Sequence, residues 1–302
     1  MSKKILQVSL GNQHDIRDAL SAHGDVIYWD WSKESRNFNA ALIALVKEYK
    51  PDFVFMQIQT PGVLYTHVAE ELSKETKLIN WTGDVRYPTP KWFLDIGRKI
   101  HLTLFTNMHD VDFLRAHGVK ADYLQIGVPD NIFKPEGEVK ANVPEIVFFG
   151  NNVGGFPLSQ LRMDMVRKLK ERYGKRFGHY GINWGKDTFS VTDQNEEAKY
   201  YRGAKIAINL SHFNYPRYTS DRMLRAMGAG CMVLSHYYDG IELEFEEQKH
   251  LDIWNNFTEL FEQIDYYLAH DEKRKEIAAA GSKHIHENHT WRNRINELIK
   301  MI

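Results

Sequence analysis

Asp84 and Arg86 stand two residues apart in WTGDVR, and Asn107, His109 and Asp110 follow in TNMHD. A positioned carboxylate or imidazole can take the proton of a hydroxyl as that oxygen attacks, and Asp84 is the first choice for this task, with His109 the second; the alternative for Asp84 is an ion pair with Arg86 that shapes the loop. Asp110 is also a cap for the helix that follows. Gly11 and His14, in SLGNQHD, lie beside an earlier strand end of the same half. A second set is small and basic: Gly150, Asn151, Gly154 and Gly155 in FFGNNVGG, then Arg162, then Ser220, Asp221 and Arg222 in YTSDR. Glycines let backbone amides approach an anion, though the same run equally makes a plain turn. Arginine forks onto anion oxygens. Ser220 or Asp221 can cap a helix whose remaining free amides and dipole favour negative charge.

These residues fall at the ends of periodic segments. From residue 3 to 134 the apolar runs KILQVSL, DVIYWDW, PDFVFMQI, KLINW, HLTLFTN and ADYLQIG alternate with helical patterns, giving about six βα units. Gly24 and Gly118 stand where helices should end. IFKPEGEVKANVPE breaks the rhythm and reads as a linker. EIVFFGN, RFGHYG, AKIAINLS and CMVLSHY then restart it, with two terminal helices expected over about 257–288 and 290–301. The expected architecture is two Rossmann-like α/β domains with parallel sheets facing across a cleft. They cover 1–137 and 138–287, and a C-terminal helix of about 288–302 packs back on the first. In such sheets ligands sit beyond the carboxyl ends of the strands, where the residues above cluster. No strand-end loop is a GxGxxG or GxxxxGK[ST], which removes the main support for dinucleotide and P-loop readings.

Composition excludes several classes. Across 302 residues, 39 Lys and Arg oppose 40 Asp and Glu, so no global field recruits a polyanion. The single cysteine, Cys231, permits no intrachain disulfide and no cysteine-cluster metal site. The first apolar run is too short for a signal-peptide core, and no stretch approaches the roughly 18 apolar residues of a membrane span. A cytoplasmic location without a membrane span is the expectation.

The run NLSHFNYPRYTSDRMLRAMGAGCMVLSHYYDGIELEF, the segments WNNFTELFEQIDYYLAHDEKRKEIAAAG and HTWRNRINELI, and in the first half GDVR and TLFTNMHDVDFLRAHGVKADYLQIGVPDNIFKP carry a resemblance. The chain resembles group 1 glycosyltransferases of the GT-B fold, closest to the CgeB-like, spore-maturation-protein-like branch, which includes phage and viral members. The resemblance implies a nucleotide diphosphate sugar, a UDP-sugar first, held by the second domain, and a hydroxyl acceptor held by the first. The acceptor is a glycan, small molecule, protein or hydroxymethylated DNA base. It implies Arg162 and Arg222 at the diphosphate, and Tyr180, Gly181 and Trp184 around the base. Asn209, Ser211 and Tyr218 would face the sugar or phosphate, and Gly11, His14, Arg86 and Asn107 the acceptor or cleft. Metal independence and no tightly bound cofactor are expected. A non-catalytic nucleotide-sugar binder and a sugar-nucleotide epimerase are the alternatives.

One departure stands out from that pattern. Many group 1 enzymes have two glutamates separated by seven residues, the second just before an Ala-Met pair and holding ribose hydroxyls. Here Arg225 precedes Ala226 and Met227, and Arg217 stands eight residues earlier. Neither accepts a hydrogen bond, which leaves open an altered donor or another residue, such as Asp221, in that role. The run Arg162, Arg167, Lys168, Lys170, Arg172, Lys175 and Arg176 is the one basic patch, a solvated helix face or a surface for an acidic acceptor. The histidines of HIHENH, 284–289, read as a packing face rather than a ligand set.

Overall fold

The computed structural model describes residues 2–9, 11, 13–33, 37–186 and 188–302. Leu10 and Asn12 of the SLGNQHD loop lie outside the described residues. The chain divides into two compact units, one running to Ile126 and completed by Trp291–Ile302, the other Gly127–Thr290.

The first unit alternates β1 (Lys3–Ser9), α1 (His14–Ser21), β2 (Gly24–Asp30), α2 (Phe38–Tyr49), β3 (Phe53–Met56), α3 (Thr66–Leu72), β4 (Lys77–Thr82), α4 (Lys91–Gly97), β5 (Leu102–Phe105), α5 (Met108–Ala116) and β6 (Ala121–Tyr123). Its six strands form one parallel sheet in the order β2-β1-β3-β4-β5-β6. Both faces are covered, so the strands are apolar at successive positions, and the period of two sends neighbours to opposite sides. Ile5, Phe53, Phe55 and Ile79 join one core, together with Trp291, Ile295 and Leu298 of the C-terminal helix. Leu6, Val8, Val54, Met56 and Leu78 join the other, under α2 and α3. Gly118 closes α5 at φ +76° as expected, whereas Gly24 is no helix terminator. It opens β2 so close to β1 that an added Cβ would lie 2.2 Å from the Lys3 carbonyl oxygen.

The second unit comprises β7 (Ile146–Phe149), α6 (Ser159–Tyr173), β8 (Phe177–Tyr180), α7 (Gln194–Gly203), β9 (Ile206–Asn209), α8 (Asp221–Gly228), β10 (Met232–His236), β11 (Asp252–Trp254), α9 (Phe257–Ala269) and α10 (Asp271–Asn288). The sheet is again parallel, ordered β11-β10-β9-β7-β8. Chain direction across the sheet reverses between β7 and β9, and such a switch point opens a crevice at the carboxyl ends of the two strands.

Two boundaries differ from the sequence reading. Residues 127–137 belong to the second unit, because Phe133 is fully buried there and its carbonyl oxygen lies against Gly228. The helix expected over 257–288 is two helices parted at His270, whose backbone leaves the helical region at ψ 70°. The strand β11, three residues long, is too short to show periodicity in the sequence.

Candidate active site

A cavity of about 330 Å³ opens at the carboxyl ends of β7 and β8, closed on the other side by the first turns of α7 and α8. Gly150 and Asn151 form its β7 edge, Tyr180 and Gly181 its β8 edge, and Glu197, Asp221, Arg222 and Arg225 its helical wall. Gly181 adopts φ +148°, and a Cβ on it would lie 2.3 Å from the Gly150 carbonyl oxygen, so only glycine lets the two strand ends meet. The Asn151 side chain accepts from the Ile182 amide at 3.1 Å, tying the two loops together. Tyr180 is packed among Phe149, Tyr200 and Phe189 at centroid distances of 4.8, 4.8 and 5.5 Å, and of this aromatic cluster Phe149 and Tyr180 line the cavity.

Ser220, not Asp221, caps α8: its Oγ accepts from the Met223 amide at 3.3 Å while donating to Asn209 Oδ1 at 2.7 Å. The Asn209 amide in turn donates to Ser235 Oγ at 2.9 Å. Asn209 and Ser220 are thereby engaged with each other, below the cavity rather than on its wall. What they achieve is the placement of Asp221, Arg222 and Arg225 at the start of α8.

Charge is segregated along that wall. Arg225 Nη1 lies 3.1 Å from Glu197 Oε2 on α7, and Nη2 lies 3.2 Å from Asp221 Oδ2. Burial pushes the Glu197 carboxyl up, against the pull of Arg225. Burial also acts on Asp221, but the charges of Arg225 and Arg222 outweigh it and hold that carboxyl below the usual range. On the other side of Arg222 the groups are basic and unbalanced. Arg162 is 1% exposed and, among the described residues, makes no ion pair; burial first and then the charge of Arg222 lower its pKa. Its guanidinium donates to the Leu210 carbonyl from Nε at 3.2 Å, to the Asn151 carbonyl at 3.1 Å and to the His212 ring at 2.9 Å. Burial, with Arg162 and Arg222 next, drives His212 down to about 4, so the ring accepts that bond as a neutral imidazole. Arg162 therefore binds the ends of β7 and β9 together, projecting positive potential from beneath them rather than reaching outward.

Other residues singled out in this half divide. Trp184 donates from Nε1 to the Gly150 carbonyl at 2.6 Å and packs edge-on against Phe148 and His179, bracing the glycine loop outside the cavity lining. Ser211 is buried with its Oγ unpartnered. Tyr218 packs edge-on to Phe213 at 6.4 Å, and its charge interaction supports protonated Arg162. Of the basic patch on and just after α6, Arg172 meets Asp265 at 2.6 Å, Arg176 meets Glu145, and Arg167 meets Asp164 and Glu171 of its own helix. His284 and His286 donate from Nε2 to the Glu244 and Gly228 carbonyls and fasten α10. A larger cavity, about 590 Å³, runs along α10 near Gly230, away from the strand ends.

In the first unit, loops after β4 and β5 bring four of the singled-out residues together. The Thr106 hydroxyl donates to the Gly83 carbonyl at 3.3 Å, and the Arg86 amide donates to Asp110 Oδ2 at 3.3 Å. Asn107 is the cap of α5, accepting from the Asp110 amide at 2.8 Å, so Asp110 is not the cap. The Asp110 carboxylate is buried, which raises its pKa, and His109 Nδ1 lies 3.6 Å from it. Arg86 donates to Gln59 and to Thr82 rather than pairing with Asp84, whose carboxylate is exposed. Gly11 and His14 sit apart, at the β1 end, where the Gly11 amide donates to Asp30 Oδ1 at 3.0 Å and the His14 ring lies 6.2 Å from Tyr28.

Glu197 is the site residue that sequence reasoning missed. It lies inside a polar helical pattern, QNEEAKYYRG, with no motif around it. Only its spacing of four residues before the fully buried Tyr201 placed it on the inner face.

Residues 162–300 match the family model described as glycosyl transferase-like. No curated protein matches the chain. The fold is GT-B, as in several solved structures that align over 99% of this chain. HepE of Anabaena, in complex with UDP and glucose, is 11% identical over 100% of its own length, with a TM-score of 0.66. A glycosyltransferase from Rickettsia africae is 15% identical over 97% of its length, TM-score 0.65. Sucrose-phosphate synthase from Thermosynechococcus elongatus is 12% identical over 98% of its length, TM-score 0.64. No helix among the described residues is long and apolar enough to cross a membrane.

Proposed function

We propose that this chain is a glycosyltransferase that takes a sugar from a nucleoside diphosphate, a UDP-sugar first, and moves it to a hydroxyl acceptor. The observation that carries the reading is the polarity of the β7–β8 cavity. Phe149, Tyr180 and bare glycine backbone line it, the Glu197 and Asp221 carboxylates offer acceptors to sugar hydroxyls, and Arg222, with the uncompensated Arg162 near it, offers positive charge to a diphosphate. The α8 amino terminus adds its dipole on the same side. The match over 162–300 supports this assignment, and the HepE complex holds UDP and glucose on the same fold.

Catalysis asks for loss of the acceptor proton as the anomeric carbon leaves the diphosphate oxygen, and the exposed carboxylate of Asp84 serves as the base, with His109 next to it in rank. Negative charge developing on the leaving diphosphate is offset by arginine and helix amides, a role they can fill without a metal ion. The motifs GDVR and TLFTNMHD favour the CgeB-like branch, whose phage members make a hydroxymethylated base one acceptor to test beside glycans, small molecules and proteins.

Calorimetry with UDP, ADP, GDP and CDP tests the reading: one of them binds the native protein in the micromolar to millimolar range. Arg222→Ala weakens that binding about 10- to 100-fold, the loss of a charge-assisted contact. Asp84→Asn leaves binding in place and stops transfer from the matching nucleotide-sugar, in the presence of a chelator as in its absence. Absence of binding by all four nucleotides removes the proposal. Product formed from the donor alone identifies an epimerase instead, and tight binding without any turnover a binding protein.

A further inference from the structure

We infer that Glu197 is the residue that selects for ribose: its carboxylate, held on the cavity wall by Arg225, accepts hydrogen bonds from the ring hydroxyls of the nucleoside. The inference rests on the reading that this cavity takes a nucleoside diphosphate. A ribose presents hydroxyl donors, and arginine, with donors only, cannot accept from them. Of the charged groups lining the cavity, Glu197, Asp221, Arg222 and Arg225, only the two carboxylates can.

Asp221 is the weaker candidate of the two. Its Oδ1 accepts from the Arg222 amide at 2.9 Å and its Oδ2 faces Arg225 at 3.2 Å, so both oxygens serve the first turn of α8. Glu197 reaches the cavity from α7, with its side chain 7% exposed, one oxygen 3.1 Å from Arg225 and the Tyr201 hydroxyl also on the carboxylate. A carboxylate offers about four lone-pair sites, so lone pairs remain beyond those two partners.

Arg225 makes the arrangement compatible with a diphosphate nearby. A bare carboxylate on this wall would repel the phosphates; paired to a guanidinium that the Phe133 ring backs at 5.4 Å, it keeps its acceptor capacity without net charge. Arg225 is thus a positioning residue, and Glu197 the contact. Fold stability gives no competing reason for the pair, since a buried ion pair adds little over a neutral replacement of the same volume.

The test compares UDP, ADP, GDP and CDP with their 2′,3′-dideoxy forms by calorimetry on the full chain. Native protein is expected to prefer the ribose form of its nucleotide about 10- to 100-fold, the worth of hydrogen bonds to a charged acceptor. Glu197→Met, which removes the acceptor at similar volume, should cut that preference to less than about threefold while still binding the nucleotide. Should the single variant misfold by thermal unfolding, Glu197→Met with Arg225→Met removes the acceptor and both charges together and is expected to give the same loss of preference. Equal binding of both forms by the native chain, or a preference that survives in the methionine variants, overturns the inference and leaves the proposed function standing. Failure of every diphosphate to bind removes both.

Discussion

Arg222, Arg162 and Glu197 illustrate how residues of similar chemistry take different tasks once their surroundings differ. Arg222 keeps its guanidinium toward the cavity; Arg162, 1% exposed, donates to three groups within the unit and acts through its charge alone. Burial has a titratable consequence at two histidines. Burial first, and then Lys170, lowers His179 to about 4; burial with Arg162 and Arg222 does the same to His212. Both imidazoles are neutral in the fold, while in the unfolded chain they take a proton near 6.5. The unfolded state therefore binds more protons between those values, and stability that is full above about pH 6.5 declines as pH falls toward about 4. Glu197 and Asp110, raised by burial, act in the opposite sense. Thermal unfolding from pH 7 to pH 4 should show a steeper loss in the native chain than in His179→Gln with His212→Gln; parallel curves would discount the two rings.

At the scale of elements, the cavity exists because β7 and β8 end in loops that touch. Gly181 allows this, Gly150 leaves room for the Arg162 guanidinium, and α8 begins where Ser220 caps it over Asn209. Gly181→Ala places a methyl 2.3 Å from the Gly150 carbonyl oxygen in a backbone region that alanine avoids. It is expected to lower nucleotide affinity at least about 10-fold and stability by about 1–3 kcal/mol, read by calorimetry and urea unfolding. Unchanged values in both would mean that the loops separate without cost. The glycines and the TSDR turn were legible in the sequence because turn and cap chemistry is local. Which of their neighbours would be engaged elsewhere was not: Trp184 and Asn209 carry suitable groups, but distant partners, the Gly150 carbonyl and Ser235, occupy them.

On the scale of the whole molecule, the last twelve residues complete the first unit although they follow the second in sequence. Trp291 packs edge-on to Trp81 at 5.1 Å, and Ile295 and Leu298 are fully buried in the same core. Removal of 291–302 strips one face of the β1–β3–β4 sheet and should leave the first unit aggregated or unfolded, while Trp291→Ala costs about 3–5 kcal/mol. Light scattering and denaturant unfolding measure both; a soluble, cooperative truncated chain would show the helix dispensable. Taken by itself, the sequence determined the alternation of strands and helices, the two α/β halves, the glycine loops and the helix cap just before Arg222, because hydrophobic period, turn residues and capping act over a few neighbours. Tertiary structure alone decided that Glu197 faces Arg225 across two helices, that Arg162 turns inward, that Asn107 rather than Asp110 caps α5, and that 127–137 joins the second unit. Each depends on contacts between residues far apart in the chain, where burial and charge pairing, not local propensity, set the outcome.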